Sequence, residues 1–161
     1  MRNNNTSKLV TLAILIAVTF VLGWFTKVPI LGGYFTLLDA GIFTTAFLLG
    51  KREALIVGAL AGFLNDFLAG YAAYMFFTLV IHGAQGYFGA FTKNKFVNYL
   101  ISGIIMVGGY FIADLIISHS FGTAIFDLWV NGVQTTAGFV IALAVAKIIQ
   151  KSGILNGFIK A

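Results

Sequence analysis

Long apolar stretches broken by short polar connections dominate the chain. The run from Leu9 to Thr26, bracketed by Lys8 and Lys27, contains no charged side chain and approaches the roughly 20 residues needed to cross a hydrocarbon core. Later stretches, Ala54 to Thr92 and Phe96 to Ala146, carry only Asp66, Asp114 and Asp127 as charged side chains. Each is long enough to fold back as two spans. The pattern predicts six helices, over roughly 9–27, 38–50, 54–69, 76–92, 96–117 and 128–147, in an all-α membrane protein whose residues 1–161 form a single domain. The second is short, so non-helical backbone beside it needs partners inside the protein.

Composition agrees with this solvent. The 161 residues are 60% hydrophobic and 9% charged, far from the soluble balance of about 45–50% and 25%. The net charge of +5 does not indicate nucleic acid, because the basic residues sit between apolar segments and make no continuous face. They describe a topology instead. With the N-terminus in the cytoplasm, Arg2, Lys8, Lys51, Arg52, Lys93, Lys95, Lys147, Lys151 and Lys160 all fall inside and Lys27 alone falls outside, as the positive-inside rule favours. Both termini are then cytoplasmic, and Gly32, Tyr71 and Ser120 face out. MRNNNTSK precedes an apolar run as in a signal peptide, but no small-residue cleavage site follows, so the run is read as a retained first span. The absence of cysteine excludes disulfides and thiolate metal sites.

Polar side chains collect near the outward ends. His82 and Gln85, Asn131 and Gln134, and Tyr110 and Asp114 are spaced three or four residues apart and share helix faces. Together with Tyr34, Tyr71, Tyr74 and Trp129 they offer donors, acceptors and flat apolar surfaces for a small heterocycle. Asp39, Asn65 and Asp66 are read as organising the outer loops, and Asp127 as capping the sixth helix. His119 is read as an exposed loop residue. Small residues recur at helical spacing: Gly58 and Gly62, and Gly83, Gly86 and Gly89, suit close packing within the chain, whereas Ala13 and Ala17 suit either internal packing or contact with another membrane helix.

AILIA at Ala13 to Ala17, GGYFTLLDAGIFTTAFLLG at Gly32 to Gly50 and GALAGFLNDFLAGYAAYMFFTLVIHGAQG at Gly58 to Gly86 together resemble the S component, the membrane-embedded substrate-binding subunit, of an energy-coupling factor vitamin transporter. The resemblance covers most of the chain and is nearest to S components linked to hydroxymethylpyrimidine or pyridoxine, with pantothenate or another vitamin as alternatives. His82-Gly83 stands where the family pattern has a basic residue before glycine. The resemblance implies a multi-pass protein of a prokaryotic plasma membrane. It also implies a small water-soluble vitamin as ligand, a transmembrane coupling subunit docked on Ala13 and Ala17, two cytosolic ATPase subunits, and toppling of the binding subunit in the bilayer.

The residues themselves argue against an enzyme. There is no GxxxxGK phosphate loop and no histidine pair at metal-binding spacing, and Ser118-His119 does not establish a nucleophile with its base. No cofactor or metal is expected. An autonomous carrier or channel and a non-transporting membrane assembly protein are the competing classes; the lack of two related halves weighs against the repeat-based carrier.

Overall fold

A computed structural model describes residues 4–30 and 33–153; Arg2, Gly32 and Lys160 lie outside the described residues. Six helices follow one another: α1 (Asn4–Phe25), α2 (Leu38–Leu49), α3 (Lys51–Ala69), α4 (Met75–Phe88), α5 (Lys95–Ile117) and α6 (Phe121–Ser152). Between α1 and α2 the chain makes an unexpected antiparallel hairpin of β1 (Val28–Ile30) and β2 (Gly33–Phe35), in which Pro29 faces Tyr34. Successive connections alternate between the two ends of the bundle. The hairpin, residues 70–74 and residues 118–120 share one end, while Lys51, Arg52, Lys93 and Lys95 share the other. At that basic end Lys8 reaches Glu53 across 2.8 Å, the lysine exposed and the glutamate mostly covered.

Polarity is distributed inside out. Ile14, Val18, Phe67, Ile104, Val140 and Ile148 are exposed, whereas Asp39, Asn65, His82, Gln85, Asn98, Ser102 and Gln134 are buried. In water this arrangement would forfeit the hydrophobic effect; in lipid it places apolar side chains against acyl chains and polar ones where the protein supplies their hydrogen bonds. Among the described residues, α1, α5 and α6 each contain a stretch long and apolar enough to cross a membrane.

Backbone proximity replaces a large apolar core. A Cβ on Gly58 would stand 2.3 Å from the His82 carbonyl oxygen, and one on Gly138 would stand 2.4 Å from Asp39 Cβ. Both distances are far inside van der Waals contact, so α3 meets α4, and α6 meets α2, only because these positions lack side chains. Gly58 thus packs within the chain, as its spacing indicated.

The start of α2 fixes the site. Twelve residues make a helix of about 18 Å, too short for a core of about 30 Å, and the helix begins within the bundle instead of at its rim. The backbone entering it is satisfied by side chains. Thr36 N donates to Gln134 Oε1 (2.7 Å), Leu37 N to Thr26 Oγ1 (2.8 Å) and Leu38 N to Thr36 Oγ1 (3.2 Å). These are the internal partners that the short second helix called for.

One helix boundary corrects the sequence reading. α6 starts at Phe121, where Ser120 Oγ accepts from Thr123 N, so Asp127 lies nearly two turns inside the helix and cannot cap it.

Candidate functional site

At the hairpin end of the bundle a cavity of about 60 Å³ opens between the hairpin and α3 to α6. Tyr34, Tyr71, Tyr74, His82, Tyr110, Asp114, Asn131 and Gln134, expected from the sequence, all line it. Helix geometry explains their convergence. His82 follows Thr78 by four residues on α4, Asp114 follows Tyr110 by four on α5, and Asp127, Asn131 and Gln134 recur along one face of α6. The hairpin lowers Tyr34 from above, and its ring meets that of Tyr71 edge-on at 5.1 Å.

The wall is rich in acceptors. Asp66 accepts from Tyr34 Oη and from Thr78 Oγ1. Because the Thr78 proton is committed there, Tyr110 Oη donates to Thr78 Oγ1 at 2.9 Å. Tyr74 Oη donates to Asp114 Oδ1 at 2.9 Å. Burial holds the phenols of Tyr34 and Tyr74 well above their usual range, reinforced by the adjacent Asp66 and Asp114 respectively, so both remain neutral donors. Lys27 Nζ sits 4.2 Å from the ring centroids of both Trp24 and Tyr34. Its pKa is lowered by burial, with Asp66 pulling the other way. Asn65 Oδ1 is buried without a hydrogen-bond partner, while the buried carboxyls of Asp114 and Asp127 face each other and can be bridged by a proton carried on one of them; all three residues line the cavity. Unpaired buried acceptors are costly unless a donor arrives.

Several expected residues lie elsewhere. Trp129 is 76% exposed on the outer face of α6 and cannot stack on a ligand. Two residues from Asn131, it lies about 200° around the helix. Gln85 is fully buried beneath the cavity and does not line it. Asp39 is in the first turn of α2, with its carboxylate held by Gln85, Gln134 and Thr135, so it makes no loop contact. The Asp66 carboxylate bonds the hairpin through Tyr34 but not the backbone of residues 70–74; Tyr71 N reaches the Asp66 main-chain oxygen instead. Asn65 Nδ2 donates to the carbonyls of Ala61 and Phe20, joining α3 to α1. Sequence reasoning missed Thr36, Thr78 and Asp127 as wall residues. Their signal was modest: Thr78 is one turn before His82, and Asp127 is one turn before Asn131.

Residues 3–151 match the family described as ECF-type riboflavin transporter, S component. The chain belongs to this S-component family. A thiamine precursor transporter, HmpT, of Lactococcus lactis subsp. cremoris (strain MG1363) is 51% identical over 164 residues, covering 100% of this chain and 98% of the relative. This S component is therefore a multi-pass membrane protein and the substrate-binding subunit of an ECF-type transporter, without catalytic activity of its own. Energy comes from the coupling subunit and ATPases of the family architecture. The autonomous carrier and the assembly protein are thereby set aside. Ala13 and Ala17 are both exposed on α1, and α1 supplies none of the cavity lining.

Proposed function

We propose that this S component captures a single-ring nitrogen heterocycle bearing amino and hydroxymethyl groups, of the hydroxymethylpyrimidine type, from the exterior. The observation that carries this reading is an acceptor-rich wall, made by the unpaired Asn65 Oδ1 and the facing carboxyls of Asp114 and Asp127, around a cavity flanked by tyrosines. Such a wall calls for a ligand that brings N–H and O–H donors on a flat ring. The thiamine-precursor relative supports the same class, and pyridoxine, also a substituted single ring, is the second candidate. Isothermal titration of the purified subunit is expected to give a tight 1:1 complex with hydroxymethylpyrimidine, weaker binding of pyridoxine and none of pantothenate. Preferential binding of riboflavin would overturn the reading.

The proposed orientation puts all six helices in the membrane, the basic end and both termini in the cytosol, and the hairpin end outside. A coupling subunit docks on the Ala13 and Ala17 stripe, and two ATPase subunits complete the importer. The chain lacks cysteine, so single replacements report location cleanly. Ala73→Cys and Lys93→Cys, at exposed positions on opposite ends, serve better than Ser120, whose hydroxyl caps α6. In intact cells an impermeant thiol reagent should label Ala73→Cys and spare Lys93→Cys. The reverse pattern would invert the topology.

A further inference from the structure

Beneath the cavity a buried carboxylate ties together three helices. Asp39 on α2 accepts from Gln85 Nε2 of α4 (2.7 Å), and from Gln134 Nε2 (3.2 Å) and Thr135 Oγ1 (3.1 Å) of α6. The sense of these bonds is fixed from a second direction. Gln134 Oε1 is already the acceptor for the Thr36 backbone N–H, so its amino group is the end turned toward Asp39. Asp39 Oδ1 is thus an acceptor, and as an ionised carboxylate Asp39 accepts at Oδ2 as well, where Gln85 presents its amino group. The Gln85 oxygen consequently faces the opposite way, 2.8 Å from His82 Nδ1.

An amide oxygen cannot donate. The proton between Gln85 and His82 therefore belongs to Nδ1, and a neutral imidazole protonated there has a bare lone pair on Nε2. His82 lines the cavity, and no group among the described residues bonds its Nε2. Asp39 does not act on the ring directly, since its Oδ1 is 4.0 Å from Nδ1, beyond hydrogen-bond range.

We propose that Asp39, which does not touch the cavity, is a positioning residue that works through Gln85 to hold His82 as the Nδ1–H tautomer. The ring then offers Nε2 as an acceptor and selects ligands that bring an amino or ring N–H donor to it over isosteres that lack one. The ligand half of this inference rests on the proposed function; the tautomer half concerns the empty subunit. Gln85 and Asp39 thereby set specificity from below the site.

With only two histidines in the chain, His119→Asn leaves His82 as the sole imidazole. Nitrogen and carbon NMR of the histidine-labelled subunit in lipid nanodiscs is expected to show protonated Nδ1 and bare Nε2 before any ligand is added. Adding 4-amino-5-hydroxymethyl-2-methylpyrimidine should shift Nε2, and the compound without its amino group should not. Gln85→Met, which keeps the volume but cannot orient the ring, and Asp39→Asn, which lets Gln85 turn over, should each produce mixed tautomers. Each should also reduce the preference for the amino compound by about tenfold. Gln85→Glu, sharing one proton with Asp39, still turns a bare oxygen toward Nδ1 and should retain the wild-type tautomer. An Nε2–H tautomer in the unsubstituted protein would overturn the proposal, as would unchanged tautomer and preference in Gln85→Met. If the parent protein binds no pyrimidine, the proposed function fails, while the ligand-free spectrum still decides the relay.

Discussion

Ala13→Val combined with Ala17→Val is expected to abolish ATP-dependent uptake while leaving the isolated subunit's ligand affinity within about twofold of the parent value, as for distant, independent sites. Both alanines are exposed on α1, next to the exposed Ile14 and Val18. This stripe is one on which a second membrane helix can approach closely, and a branched side chain at either alanine holds the two backbones apart. The cavity is built without α1, so the damage should be confined to coupling. Titration, thermal stability and co-purification with the coupling subunit, all measured on the same double mutant, separate the alternatives. Intact capture with normal uptake would remove the docking role. Joint loss of stability and binding would show instead that the alanines support the fold.

Asn131→Ala and Gln134→Ala should behave differently although the residues are one turn apart. Asn131 is half-buried in the cavity wall and makes no side-chain hydrogen bond among the described residues. Its loss should weaken ligand binding by about 5- to 150-fold, corresponding to about 1–3 kcal/mol for an unpaired group, with little change in thermal stability. Gln134 holds the Thr36 backbone N–H and one oxygen of Asp39. Gln134→Ala strands both in a buried setting and should lower stability by about 1–3 kcal/mol or more, together with binding, because the hairpin loses its lower anchor. Calorimetric titration and thermal unfolding on both variants provide the check. Parent-like affinity in each would remove Asn131 and Gln134 from the site.

The helices were legible because lipid enforces long uninterrupted apolar runs, which survive in the sequence without knowledge of the partners they pack against. The hairpin was not. Three residues per strand, one of them Pro29, leave too little alternation to register as β structure. His82 and Asn131 were recoverable because polar groups in an apolar helix stand out. The partners of Asp39 were not recoverable, since Gln85 is 46 residues away and Thr135 is 96; only the fold creates that cluster. Trp129 was misplaced because its chemistry was weighed ahead of its position. A residue 200° from Asn131 cannot share its face.

The bond from the Thr36 backbone to Gln134 spans 98 residues. At ribosomal speeds of roughly 5–20 residues per second, Gln134 is synthesised about 5–20 s after Thr36. During that interval the Thr36 N–H lacks its mature acceptor, and a backbone donor buried without a partner is costly. The floor of the cavity therefore cannot set until the last helix has entered the membrane. Biogenesis ends where recognition begins, and a nascent chain stopped before α6 would carry most of the cavity-lining residues without the means to hold them together.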